Sequence, residues 1–393
     1  MPTSLNPLAV ATRRLAGAVM LVSSIVFTAT AAAPVTDKQL WSPRELTRGL
    51  VRVDAIMVPE GRTVSVLGQS RSGSGVMLDQ QTVLTIGYLV LEADEVMLTT
   101  AGGKRIPASV AAYDHATGLG LVRAALPLDG NPIPFGDSAS ISESDRLLAV
   151  GSLDDSPAEV VVVSRRPFSG SWEYLLERPI YTFPPLADWS GLALTNQQGE
   201  LVGIGSLRLD DVADDRAGVR GNLFVPTELL LPILHDLQTR GSRQTPPQPW
   251  LGVTTQMFES SLVAVRLAVG GPAEKAGLKP GDEIIAVGGL AVLDQADFYR
   301  KVWQIGSAGS LVPLTIKRDE QRRKINIRSV DRMSYLKRPE GKSPTRQASA
   351  PVVSPIRLSK PSKFSASEYS MISLPLPFGP GLICTLVASA SAR

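Results

Sequence analysis

Cys384 is the only cysteine in a chain of 393 residues, so no disulfide can form within it and a cysteine-based metal site is excluded. Histidine is nearly as scarce. His115 and His235 are the only two, which rules out a histidine-rich metal centre; no metal and no cofactor is expected. Aromatic residues make up 5% of the chain. Long apolar runs are also missing: Leu15–Phe27 is short for a span, and Met371–Ala388 is broken by Pro375, Pro377 and Pro380. No stable membrane span is therefore expected. Glycine and proline, by contrast, are plentiful at 34 and 30 residues, which suits a turn-rich β protein. The 44% hydrophobic and 20% charged content is that of a soluble globular protein, and the length allows two or three domains.

The formal charge of +3 is misleading. From Tyr335 onward there are eight Lys and Arg against two Glu, which leaves 32 basic and 35 acidic residues in the body. The basic character belongs to the tail, and nothing in the body asks for nucleic acid.

Residues 1–33 read as an export signal, with Arg13-Arg14, the apolar run and then Ala29-Thr30-Ala31 as a small-residue cleavage site. The expected location is periplasmic, with an uncleaved signal anchor as the alternative. Short β-branched runs follow at Val51–Met57, Thr63–Leu67, Gly75–Leu78, Thr82–Thr85, Glu95–Thr100 and Ala108–Tyr113. They continue at Leu119–Ala124, Arg146–Val150, Glu159–Val163, Gly191–Leu194 and Leu201–Ile204. This spacing predicts an all-β barrel or sandwich. A helix is predicted over Thr227–Thr239, with Thr227 as N-cap and Gly241 as the C-terminal glycine. His235 on it reads as a surface histidine. Residues 241–249, rich in proline, read as a linker, 250–332 as a second domain, and 333–393 as a disordered tail.

Phe183–Ser206 carries a Ser190-Gly191 step, an apolar run, a polar turn at Gly199 and a second strand. Chymotrypsin-like proteases place their nucleophile in this way. With Gly73-Ser74-Gly75-Val76, Tyr113-Asp114-His115-Ala116-Thr117, Phe135-Gly136-Asp137-Ser138 and Phe224-Val225-Pro226 in the same order, the chain resembles the HtrA/Deg family of periplasmic proteases. Trp250-Leu251-Gly252-Val253 and Gly271-Pro272-Ala273-Glu274-Lys275-Ala276-Gly277-Leu278-Lys279-Pro280-Gly281-Asp282 are similar to that family's PDZ domain. The resemblance implies a mainly β fold, a double six-stranded β-barrel (trypsin-like) over 45–240, followed by a PDZ domain over 250–332. Within the latter, Pro272 suits the first turn of a short helix over Ala273–Ala276. A strand over Glu283–Val287, a helix over Asp294–Trp303 and a hairpin turning at Asp319-Glu320 complete the pattern.

Laid on that pattern, the nucleophile position is Ser190, the histidine position Tyr88, the aspartate position Gly118 and the oxyanion-hole glycine position Asp188. A tyrosine is a poor base at neutral pH, Gly118 has no carboxylate, and the charge of Asp188 opposes a developing oxyanion. Lys104, in a Gly-Gly-Lys-Arg turn, is expected to be solvated, and Ser190 then serves backbone groups of its turn. The expected function is an exported HtrA-like pseudoprotease, an adaptor, sensor or chaperone-like factor in envelope protein quality control. The alternative is an active serine endopeptidase using Ser190 with non-standard partners. By resemblance, Trp250, Leu251 and Gly252 form the carboxylate loop and Val253 opens the groove that takes C-terminal or extended peptide segments. Phe298 and Val302, at i, i+4 spacing, either line that groove or belong to the core. A homo-oligomer is possible, although residues 34–44 offer only Trp41 as an aromatic anchor.

Overall fold

The computed structural model describes residues 43–152, 157–214 and 216–339. The expected export signal, residues 34–42 with Trp41, and the tail from 340 lie outside the described residues. Two closed six-stranded barrels are followed by a smaller sheet domain. The first barrel runs β1 (Leu50–Met57), β2 (Ser70–Met77), β3 (Thr82–Ile86), β4 (Ala93–Thr100), β5 (Arg105–Asp114) and β6 (Leu119–Ala124), closed in the order β1-β2-β3-β6-β5-β4. Its β-branched alternation drives closure: Val51, Val53 and Ala55 point inward from β1, a period-2 pattern that leaves no edge unpaired.

The second barrel comprises β7 (Arg146–Val150), β8 (Ala158–Ser164), β11 (Ile180–Phe183), β12 (Ala193–Thr195), β13 (Leu201–Leu209) and β14 (Gly221–Pro226). Between β8 and β11 a small hairpin leaves the barrel, made of β9 (Phe168–Gly170) and β10 (Tyr174–Leu176). The third domain forms one sheet from β15 (Val253–Phe258), β16 (Ser261–Leu267), β17 (Glu283–Val287), β18 (Leu290–Ala291), β19 (Leu311–Arg318) and β20 (Gln321–Arg328). The helix Gln295–Gln304, here α1, packs on that sheet; its N-cap Asp294 accepts from the Asp297 N–H at 2.7 Å.

Three sequence expectations are corrected. Thr63–Leu67 is a helical turn over Val64–Leu67. The N–H and hydroxyl of Thr63 are taken by the Glu92 carboxylate, which bends the chain away from the sheet. The single helix over Thr227–Thr239 is two pieces, a 3-10 turn at Thr227–Leu229 and an α-helix at Leu234–Arg240. Pro232 has no N–H to continue the ladder, and the Thr227 hydroxyl bonds the Leu201 carbonyl instead of capping. Gly241 does end the helix in the left-handed conformation, φ 75°, and His235 is exposed. The ordered chain also passes residue 333: Arg332–Tyr335 is a helical turn, and the Lys337 N–H donates to Glu92 at 2.8 Å.

The linker is held as well. Arg243 grips the buried Asp114 carboxylate through two bonds of 2.6 Å, and the Pro247 carbonyl accepts from Ala308. Among the described residues no helix is long and apolar enough to cross a membrane.

Candidate functional site

The structure brings Ser190, Tyr88 and Gly118 together between the two barrels. Ser190 precedes Gly191, whose φ of 76° belongs to the left-handed region. A Cβ on Gly191 would lie 2.0 Å from the Ser74 carbonyl oxygen. The Ser74 N–H in turn donates to the Ser190 carbonyl at 2.8 Å. The Ser-Gly step is therefore fixed by barrel-to-barrel packing, whatever chemistry the hydroxyl does.

Tyr88 closes a 3-10 turn after β3, and its phenol oxygen lies 2.7 Å from the Ser190 hydroxyl and 3.0 Å from the Ser206 carbonyl. A carbonyl only accepts, so the single phenolic proton goes to Ser206. The Ser190 hydroxyl is then the donor to Tyr88. Burial pushes the Tyr88 phenol up to about 12, against a smaller downward pull from its bonds to Ser190 and Trp189. At pH 7 a phenolate base is populated only at roughly one part in 10⁵.

Gly118 takes φ 72°, and its carbonyl accepts from the Gly87 N–H at 2.7 Å. The space beside it is occupied. A Cβ there would lie 2.8 Å from the Tyr174 hydroxyl, which donates to the Thr117 carbonyl at 2.6 Å. Asp188 is exposed. Arg208 stands over the ring of the neighbouring Trp189, 5.5 Å from its centroid. His115 bonds elsewhere: its Nδ1 faces the Arg332 guanidinium at 2.8 Å and the Tyr113 hydroxyl at 3.4 Å. Burial first, then Arg332, holds its imidazole well below the usual range, so it is neutral. Lys104 is exposed, 3.8 Å from Asp129. Among the described residues no cluster of three or more His, Cys, Asp and Glu could hold a metal ion.

The Trp250–Val253 loop is built as a carboxylate cradle. Its entry is pinned by the Trp250 and Val330 bridge, with N–H···O distances of 3.0 and 3.1 Å. Gly252 turns at φ 77°, and Trp250 packs on Tyr335, ring centroids 4.7 Å apart. Three successive N–H groups then point to one place, and a carboxylate sits there. Glu173, in the turn of the β9–β10 hairpin, accepts from Leu251 at 2.8 Å, Gly252 at 2.6 Å and Val253 at 3.0 Å. Burial outweighs these donors and raises its carboxyl to about 7.

Phe298 and Val302 are both in the core of the sheet domain, 0% and 1% exposed. Such burial is worth about 1.5–3 kcal/mol per side chain, so the core alternative describes their packing. The residue of the same helix that touches the hairpin turn is Tyr299. Its hydroxyl accepts from the Glu173 N–H at 3.2 Å and donates to the Gly170 carbonyl at 2.8 Å. Glu173, Tyr174, Leu175 and Tyr299 escaped sequence reasoning. One signal was present: in a chain poor in aromatics, residues 168–183 hold five (Phe168, Trp172, Tyr174, Tyr181 and Phe183).

Two family models match the chain: a trypsin-like peptidase domain over residues 73–204 and a PDZ domain over 249–328. The "Probable periplasmic serine endoprotease DegP-like" of Pseudomonas putida strain W619 is 25% identical over 277 residues, covering 65% of this chain and 55% of that protein. The chain thus spans about half the length of that relative. The "Serine protease Do-like HtrA" of Bacillus subtilis strain 168 is 25% identical over 292 residues, 66% of this chain and 64% of its own. Among solved structures, the serine endoprotease from Yersinia pestis aligns with a TM-score of 0.46 and 21% identity, over 74% of this chain and 98% of that one.

Two closed six-stranded barrels and a following PDZ region define a trypsin-like peptidase fold joined to a peptide-recognition module. The chain is homologous to the HtrA/DegP proteins.

Proposed function

We propose that this protein is an exported HtrA-like pseudoprotease whose PDZ domain grips apolar chain ends, acting as an adaptor or sensor in envelope protein quality control. One observation carries the reading: the Ser190 hydroxyl meets a neutral phenol whose own proton is committed to the Ser206 carbonyl. A serine hydroxyl attacks only when a base takes its proton. Among the described residues neither an imidazole nor a carboxylate bonds to Ser190, and the aspartate slot at Gly118 is filled by the Tyr174 hydroxyl. Loss of triad members leaves only background catalysis. The periplasmic placement rests on the N-terminal signal pattern and on relatives named as periplasmic. Peptide binding rests on the PDZ match and on three convergent N–H groups at Leu251, Gly252 and Val253.

The relatives are named as serine proteases, which favours the rival reading of an active endopeptidase using Ser190. Fluorophosphonate labelling of the purified protein decides between them. Labelling no stronger than in Ser190→Ala is expected. Strong labelling that disappears in Ser190→Ala, together with turnover of unfolded casein, would establish a hydrolase.

A further inference from the structure

The carboxylate cradle is already filled from within the chain, and the filling has several independent parts. Glu173 is 3% exposed and bonds all three N–H groups of the loop. Two residues on, Leu175 is 8% exposed and packs into the PDZ core beside Leu251, Val253 and Tyr299. Tyr299 holds the hairpin turn from the helix side through Gly170 and Glu173. Just past the hairpin, Glu177 forms a two-pronged ion pair with Arg300 of the same helix, at 2.9 and 2.7 Å.

The backbone points the same way. Glu173 has φ 61°, a conformation uncommon for a side chain without local hydrogen-bonding capacity and kept only where surrounding contacts determine it. A PDZ ligand offers a carboxylate to loop N–H groups and an apolar side chain to the pocket beside them. Glu173 and Leu175 offer both, from one hairpin.

We propose that the β9–β10 hairpin is a built-in ligand of the PDZ domain: Glu173 stands where a chain-terminal carboxylate binds, Leu175 supplies the apolar group, and an incoming chain end must displace them. This rests on the peptide-binding reading above and adds the regulation of that site. The affinity for free chain ends is then reduced by the fraction of molecules in which the hairpin is docked. The ligand class is a peptide with a free carboxylate and an apolar last residue, since that is what the hairpin imitates.

The test uses the full-length protein with fluorescein-labelled decapeptides ending in Leu, Val or Phe, each as the free acid and as the C-terminal amide. Binding is compared between the wild type, Glu173→Ala and the near-isosteric Glu173→Gln. Amide hydrogen exchange at Leu251, Gly252 and Val253 is followed in parallel, and thermal melting confirms that each variant is folded. In Glu173→Ala the free acids are expected to bind at least tenfold more tightly, the amides are not, and loop exchange rises at least tenfold. Glu173→Gln moves in the same direction by less. Equal affinity of the wild type and both variants overturns the built-in ligand while leaving peptide binding intact. Faster exchange without peptide binding in any form overturns the mimicry together with the peptide-binding reading.

Discussion

At the scale of the residue, the Ser190 neighbourhood is a set of satisfied hydrogen bonds. The phenol of Tyr88 fills two roles at once, accepting from Ser190 and donating to the Ser206 carbonyl. Tyr88→Phe strips both partners and is expected to lower stability by about 1–3 kcal/mol, read from urea unfolding. Gly118 is the second informative residue. An aspartate there meets a left-handed backbone and the Tyr174 hydroxyl, 2.8 Å from its first side-chain carbon. Gly118→Asp should therefore destabilise by more than the ~1 kcal/mol of a simple glycine replacement. Thermal melting checks this, and an unshifted melting temperature would contradict the crowding.

At the scale of the element, the hairpin is the part that titrates. Glu173 holds its proton up to about pH 7 when docked, because it is buried; an exposed glutamate loses it near pH 4.3. The docked state therefore binds the proton more tightly than the released one. Docking strengthens as pH falls from about 7 towards 4.5 and weakens as pH rises through about 7. The other groups facing Glu173 do not change state in that window. His115 is held neutral by burial and by Arg332, Tyr299 is raised by burial, and Arg300 is paired with Glu177. Hairpin opening, followed by hydrogen exchange corrected for intrinsic rates, is expected to be on the order of tenfold more frequent at pH 8 than at pH 5.5. Glu173→Gln should flatten that dependence; an unchanged slope in the variant would assign the titration to another group.

At the scale of the whole molecule, the PDZ domain is tied to the first barrel by the chain that follows it. Glu92 accepts from Arg62, from the N–H and hydroxyl of Thr63, and from the Lys337 N–H. Arg62 also reaches the Tyr335 hydroxyl at 3.4 Å. Glu92→Ala is expected to speed trypsin cleavage after Lys337 several-fold, read by mass spectrometry of timed digests. The barrel strands and the PDZ region were legible in the sequence because short β-branched runs stand between turn residues and the Trp250–Val253 and Gly271–Asp282 motifs are each contiguous. The Asp319-Glu320 turn was found although both residues take positive φ, 52° and 61°. The hairpin was not legible. Its strands are three residues each, too short to show a period, and its partners lie 78 to 80 positions away. Strand geometry sends alternate residues to opposite sides, so β10 and its turn face both ways. Tyr174 stops the slot beside Gly118 while Glu173 and Leu175 enter the PDZ domain. Three consecutive side chains thus act as a double-ended peg: a change that drives Tyr174 from its place beside Gly118 also pulls on Glu173 and Leu175, so the cleft between the barrels and the carboxylate loop are levered together.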